Sequence, residues 1–257
     1  MTDLVSIIMP SWNTAQFISE AIESVIHQTY TNWELIIVDD CSTDDTISIV
    51  NRYKDIRIRL FINSKNSGAA FSRNFALQKA KGRWVAFLDS DDLWLPEKLE
   101  RQISFMNDNN YYFSCASCED IDTNSNRMGK IHKSIKHISK KRMFQYCWPS
   151  CLTVMYDNSV VGLIQINNNL KKNNDYAMWL NVVQRVDCHY LDQVLALYRV
   201  RKNSISHDSL KKLIKAHYTL FRIELHKNRF VSFFLTLQNL FFGVFKKIVF
   251  EKHVHKE

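Results

Sequence analysis

Glycine and proline are scarce, at five and three residues in a chain of 257. That excludes long flexible linkers and glycine-rich low-complexity tracts. The glycine-built phosphate cradles are missing too. No GxGxxG follows the first apolar run and no GxxxxGK[ST] occurs anywhere, so neither a dinucleotide fingerprint nor a P-loop is present. No uninterrupted apolar run reaches the roughly 20 residues that span a bilayer, so a membrane-crossing helix is not indicated. The start, MTDLVSIIMPSWN, has no basic segment ahead of an apolar one and predicts no secretory signal. The six cysteines (Cys41, Cys115, Cys118, Cys147, Cys151 and Cys188) are then expected as reduced thiols in the cytosol. Cys115 with Cys118, and Cys147 with Cys151, invite a zinc reading. The first pair sits in the strand-like YYFSCASC, where residues three apart face opposite ways, and zinc is disfavoured. Acidic residues are the minority, 26 against 34 basic, for a net charge of +8. That balance suits an anionic partner such as nucleic acid, a phosphorylated substrate or acidic lipid.

What the chain has is globular composition, 46% hydrophobic and 23% charged, and enough length to bury a full core. Residues 4–9 are apolar and β-prone, closed by Pro10. Phe17, Ile18, Ala21, Ile22, Val25 and Ile26 then keep a helical period. Residues 35–38 form a second strand ending in Asp39 and Asp40, and a helix capped by Ser42 or Thr43 follows. A third strand at 58–62, a helix at 69–80, a fourth strand at 84–88 and a helix after Pro96 complete four β-α units. This alternation predicts an α/β fold, a mostly parallel central sheet flanked by helices on both faces. Ligands of such sheets sit at the carboxyl ends of the strands. Residues 10–13, Asp39 with Asp40, and residues 89–92 all fall there.

The organising stretch is 84–96, WVAFLDSDDLWLP. An apolar strand breaks into Asp89, Ser90, Asp91 and Asp92. Three carboxylates at a buried strand end are costly unless a cation or hydrogen-bond donors compensate them. Asp89 and Asp91 are two apart and can aim at one hard cation. The plain alternative is an acidic turn that caps the next helix. With no glycine loop on the rim, a pyrophosphate there needs another counter-charge. A divalent ion on Asp89 and Asp91, or on Asp91 and Asp92, supplies one.

In order and spacing, SIIMPSWN, ELIIVDDCSTDDT, NSGAAFSRN and FLDSDDLW resemble the inverting family 2 glycosyltransferases. The resemblance covers residues 4–106 and returns at NNDYAMWL (173–180) and LALYRVRKNSIS (195–206). It implies the Rossmann-like GT-A fold, here with a C-terminal helical extension. It implies that Pro10, Trp12 and Asn13 line the nucleotide, with Trp12 stacking on uracil; packing at the strand end is the other reading of Trp12. Asp40 matches the carboxylate that bonds the base, beside Asp39. Arg73 matches a basic residue near the nucleotide, or is a surface charge on its helix. Asp89, Ser90 and Asp91 match the DxD motif, contacting ribose and a metal, Mn2+ or Mg2+, with Asp92 as an extra candidate ligand. Asp175 matches the catalytic base, which takes the proton of the acceptor hydroxyl. The family's usual pair there is Glu-Asp, whereas this chain has Asn174-Asp175. Trp179, one turn on, either lines the acceptor pocket or packs in the core. Arg199 and Arg201 match a stretch that approaches the diphosphate in related enzymes.

The pattern divides the chain into a domain at 1–205, with a nucleotide-sugar half (1–110) and an acceptor half (111–205), and helices at 206–257. Segment 230–250, FVSFFLTLQNLFFGVFKKIVF, is rich in phenylalanine but broken by Ser232, Thr236, Gln238, Asn239, Lys246 and Lys247. It suits a helix lying in a bilayer interface, or one packed on the domain or a second subunit. Joined together, these expectations give a metal-dependent, inverting transfer of a hexose, glucose or galactose, from a UDP-sugar. The acceptor, by resemblance to small bacterial enzymes that build O-antigen or capsule repeats, is an undecaprenyl-diphosphate-linked saccharide. The expected place is an anionic membrane surface, on the cytoplasmic face of the inner membrane. Two alternatives fit less well. A sugar-phosphate nucleotidyltransferase lacks its glycine-rich basic loop here. A basic nucleic-acid binder, with its steep salt dependence, would not line its ligand rim with carboxylates, so no nucleic acid is expected.

Overall fold

The computed structural model describes residues 3–201 and 209–253. Its first elements are β1 (Val5–Ser11), α1 (Ile18–Ile26), β2 (Trp33–Asp39), α2 (Thr46–Val50), β3 (Ile58–Ile62), α3 (Ala69–Lys79) and β4 (Trp84–Phe87). β1 pairs in parallel with β2 and β4, and β2 with β3, which sets the order 3-2-1-4. Successive residues of β1 feed opposite core layers, as the strand period requires. Val5, Ile7 and Met9 join Ile18, Ile22 and Met106 on one face; Ile8 joins Phe87, Leu77 and Trp179 on the other. Covered on both faces, β1 and β4 are legible as apolar runs, whereas β3 at the sheet edge is half-exposed. The registers Ser11 to Asp39 and Ile8 to Phe87 bring the carboxyl ends of β1, β2 and β4 to one edge.

The chain continues through β5 (Leu93–Trp94), α4 (Lys98–Asn109), β6 (Phe113–Ile121), β7 (Arg127–His132), β8 (His137–Ile138) and α5 (Lys140–Gln145). Then come β9 (Met155–Asp157), α6 (Asn158–Val161), α7 (Asn174–Val182) and β10 (Cys188–Arg199). β9 enters antiparallel between β4 and β6, so the sheet is parallel in its first half and mixed beyond. β10 runs parallel to β6. Three local details set the path of the chain. Ahead of β9, residues Cys151–Thr153 form a 3-10 turn, where Thr153 Oγ1 donates to Ser150 O at 2.8 Å. The polar stretch 119–130 stays extended to Ile121, and Asp122 Oδ1 then accepts from the amides of Asn124 and Asn126 to turn the chain. At α2 it is Asp44, not Ser42 or Thr43, that accepts from the Thr46 amide, at 3.0 Å.

The tail holds α8 (Leu210–Ile223), α9 (Arg229–Phe250) and β11 (Glu251–His253). The expected division at 205/206, and residues 202–206 of the resemblance, lie outside the described residues. Leu220 and Phe221 of α8 share a core layer with Trp179. β11 pairs antiparallel with β7. α9 is amphipathic the wrong way round for a water-facing helix. Ser232, Thr236, Asn239 and Lys246 are buried, spaced to fall on one face. Phe230, Phe234, Phe241 and Ile248 are exposed. Gly243 lies on the buried face, where a Cβ would come within 3.0 Å of the Tyr146 ring. By length and composition α9 is apolar enough to cross a membrane, yet only 17% of that window is buried in the protein, so most of its apolar surface faces outward.

Candidate active site

Trp12 follows β1 onto the rim with its ring 54% exposed. Asn13 adopts φ 50°, the left-handed region that asparagine tolerates. It ties the loop after β1 to the loop after β2: its N–H donates to Ser42 Oγ at 2.9 Å and its Oδ1 accepts from the Thr43 amide at 2.8 Å. Asp39 and Asp40, at the end of β2, are both buried. Asp39 accepts from the Ser42 amide and hydroxyl. Asp40 accepts from Asn63 Nδ2 (2.8 Å), the Ser67 amide (2.8 Å) and the Gly68 amide (2.7 Å). Gly68 sits at φ 89°, a conformation that glycine adopts without strain. With its amide turned to satisfy both ends, Asn66 accepts from Trp12 Nε1 at 3.0 Å and donates to Asp40 Oδ2 at 3.2 Å. One network therefore joins the exposed indole of Trp12 to the carboxylate of Asp40, beside half-buried Pro10.

The acidic turn stands at the end of β4. Asp89 pairs with Arg73 Nη2. Asp91 pairs with Arg201 Nη2 at 2.6 Å. Ser90 is buried. Burial, opposed by Arg201 and reinforced by the charge of Asp89, raises the Asp91 pKa. Asp89 and Asp91 are thus hard oxygen donors that still repel one another across their arginines, a set that suits a divalent cation taking its remaining ligands from phosphate. Among the described residues, no group of three or more His, Cys, Asp or Glu is arranged to hold a metal by itself.

Position corrects two expected contacts, Asp92 and Arg199, and decides Trp179 between its two readings. Asp92 is 2% exposed and accepts the Arg199 amide at 2.8 Å. Burial, then the charges of Asp91 and Asp89, push its pKa well up. It lies behind the rim and not on it. Arg199 is also buried: Nε donates to Asp91 O (2.7 Å), Nη1 to Ser125 Oγ (2.9 Å) and Nη2 to Glu20 Oε2 (2.8 Å). It braces the acidic turn from inside, which leaves Arg201 as the rim arginine. Trp179 is 0% exposed and edge-on to Phe87, ring centroids 4.9 Å apart; it is core and not pocket wall.

Arg73 is buried on α3. Besides Asp89, it donates through Nη1 to Asn174 Oδ1 in the first turn of α7. Burial alone would lower its pKa, but the charges of Asp89 and Asp175 outweigh that and raise it. Asp175, the next residue, is half-buried. Burial raises its pKa; Arg73 and the Tyr176 amide pull it back, and Asp89 adds to the rise. The partnership of Asn174 with Arg73 carried no sequence signal beyond the departure from Glu. The roles of Ser67 and Gly68 were contained in NSGAAFSRN without being distinguishable there.

A family model described as glycosyl transferase family 2 matches residues 6–161. The chain belongs to glycosyl transferase family 2. The matched span holds the rim from Pro10 to Asp91 and ends before Asp175. WfgD of Escherichia coli, named UDP-Glc:alpha-D-GlcNAc-diphosphoundecaprenol beta-1,3-glucosyltransferase, is 40% identical over 215 residues, 82% of each chain. TarS 1–349 of S. aureus in complex with UDP-GlcNAc superposes with TM-score 0.71 at 20% identity, over 93% of this chain and 72% of that one. The mannosyltransferase PcManGT from Pyrobaculum calidifontis, in complex with GDP-Man and Mn2+, gives TM-score 0.63 at 18% identity, over 93% and 74%. These two likenesses establish the GT-A fold. As a family 2 glycosyltransferase the chain is an enzyme, and the nucleotidyltransferase and non-catalytic alternatives fall away.

Proposed function

We propose that this glycosyltransferase moves glucose, with inversion, from UDP-glucose to a hydroxyl of a saccharide carried on a lipid diphosphate. The observation that carries the proposal is the double grip of Arg73, on Asp89 of the acidic turn and on Asn174 beside Asp175. It couples a diphosphate-facing carboxylate to a half-buried carboxylate of raised pKa. Glucose and the lipid diphosphate are favoured by the 40% identity to WfgD and its named reaction.

In this scheme the uracil rests on the open Trp12 ring, beside the Asn66 and Asp40 network. Asp175 accepts the proton of the acceptor hydroxyl. The acceptor oxygen attacks the anomeric carbon from the face opposite the diphosphate; the old C–O bond breaks and UDP leaves. Arg73, held cationic, offsets the negative charge of the donor and keeps Asp89 and the first turn of α7 in register. Arg201 stands at the same rim. A divalent cation, Mn2+ or Mg2+, held by Asp91 and Asp89 would stabilise the departing diphosphate as a Lewis acid.

The lipid of such an acceptor lies in a membrane, and α9 offers an outward apolar face and carries exposed Arg229 and Lys247, with Lys211 and Lys215 exposed on α8. That pairing suits an anionic bilayer, at the cytoplasmic face of the inner membrane. It suits a second copy of the chain less, since two chains of charge +8 repel. The deciding assay is UDP release from UDP-glucose and UDP-galactose with Mn2+, with and without a GlcNAc-diphosphate-lipid acceptor. Acceptor-dependent release with UDP-glucose is expected; acceptor-independent release, or none with either donor, sinks the proposal.

A further inference from the structure

The first turn of α7 carries Asp175 but is not held by its own cap. Asn173, at the N-cap position, adopts φ 56° and its side chain makes no capping bond. The turn is held instead from four other helices. Asn173 Nδ2 meets His217 Nδ1 of α8 at 3.2 Å. Asn174 takes the guanidinium of Arg73 from α3. Tyr176 is bonded from α5 and α9: its hydroxyl donates to Met143 O of α5 at 2.7 Å and accepts from Asn239 Nδ2 of α9 at 3.0 Å. Each residue flanking Asp175 in that turn is thus fixed from another helix, Tyr176 from two.

Asn239 is the least economical of these partners. It is 1% exposed, and among the described residues its Oδ1 has no hydrogen-bond partner. A buried amide with an unpaired carbonyl oxygen is costly, and a leucine of similar volume would remove that cost. Through Nδ2 it bonds the hydroxyl of Tyr176, the residue after Asp175. Lys246, further along the same face, donates to Trp148 O at 2.7 Å and grips a separate segment.

We propose that Asn239 is a positioning residue for Asp175, so that α9 orients the base as well as presenting an apolar face. The proposal rests on Asp175 being the base. Through the Tyr176 hydroxyl, Asn239 fixes the roll of the first turn of α7 and with it the direction of the Asp175 carboxylate. The nucleotide network of Trp12 and Asp40 stands on β1 and β2, outside this linkage.

The test compares Asn239→Leu, Tyr176→Phe, the double variant and Asp175→Asn. Turnover is read as UDP release from UDP-glucose, with GlcNAc-diphosphate on a short, soluble alkyl chain, so that membrane docking is not sampled. UDP affinity is read by calorimetry. Asn239→Leu and Tyr176→Phe are each expected to lower kcat roughly tenfold or more, the scale of a small misplacement of a reacting group. UDP affinity and acceptor KM stay within twofold, and the double variant is no worse than Tyr176→Phe alone. Tyr176→Phe keeps the ring packing but removes the bond to Met143 O together with the bond from Asn239, so the Asn239 link is read from Asn239→Leu, with Asn239→Ala beside it as a second removal of that bond alone. Wild-type kcat in either Asn239 variant, with Asp175→Asn inactive, overturns the positioning role and leaves the base in place. Additive losses in the double variant, or losses shared by UDP affinity, also overturn it in favour of a general packing role. Turnover retained by Asp175→Asn overturns the base assignment, and this proposal with it.

Discussion

Arg73 of α3 donates to the side chain of Asn174, 101 positions later in the chain. The contact joins the first four β-α units to α7, at the residue before Asp175. In place of the family's usual Glu, Asn174 gives Arg73 a neutral acceptor, which leaves Asp89 and Asp175 as the carboxylates that set its charge.

Asp175→Asn is expected to bind UDP as the parent does and to lose turnover by about 10²–10⁴-fold, the usual contribution of a positioned general base. Calorimetry with UDP and a single-turnover assay separate the two effects. Comparable turnover in the variant removes Asp175 from the mechanism.

Arg73→Lys keeps the charge but cannot fork between Asp89 and Asn174. Turnover is expected to fall at least tenfold, as expected when a reacting group drifts by about an ångström. Steady-state kinetics on the variant provide the check, and an unchanged kcat speaks against the bridge.

The acidic limb of the kcat profile should lie above the ordinary carboxylate pKa of roughly 4, because burial raises Asp175. Below that limb the base is protonated and transfer stops; above it activity reaches its plateau. Arg73 lowers the Asp175 pKa, so Arg73→Met should move the limb to higher pH. A limb that stays fixed in Arg73→Met assigns it to another group.

Chelation should weaken UDP binding, and Asp91→Ala should make that binding indifferent to added Mn2+. Asp92→Asn should leave the metal dependence intact and instead loosen the Arg199 contact, with a loss of thermal stability. UDP titrations with and without EDTA distinguish the two positions.

Phe234→Asp and Phe241→Asp change side chains that are 67% and 68% exposed. Both should leave the melting temperature nearly unchanged and reduce co-sedimentation with anionic vesicles several-fold, since each puts a charge into the apolar face. Equal sedimentation of parent and variants counts against bilayer contact.

β1, β2 and β4 were legible because they are buried on both faces and end abruptly in polar residues. Position 92 was not: Asp91 and Asp92 are neighbours of one type, and only the turn decides which faces the rim. Arg199 and Arg201 pose the same problem at the end of β10, where alternate residues share a side but differ in burial. Trp179 fits a helical period whether its ring meets core or pocket. In α9 the polar residues look like flaws in an apolar segment. They are its contact with the enzyme, because Tyr176 and Trp148 present polar atoms there.

β11 follows α9 directly and pairs with β7 from Glu251 to His253, and the Lys133 amide adds a bond to Phe250 O at 2.9 Å. β7 would otherwise have an open edge, the kind of strand that recruits other chains. A chain cut after Arg229 loses that cover along with the helix. Such a truncation would expose an aggregation-prone edge and confuse loss of lipid contact with loss of solubility, whereas single substitutions on the outer face of α9 leave the edge sealed.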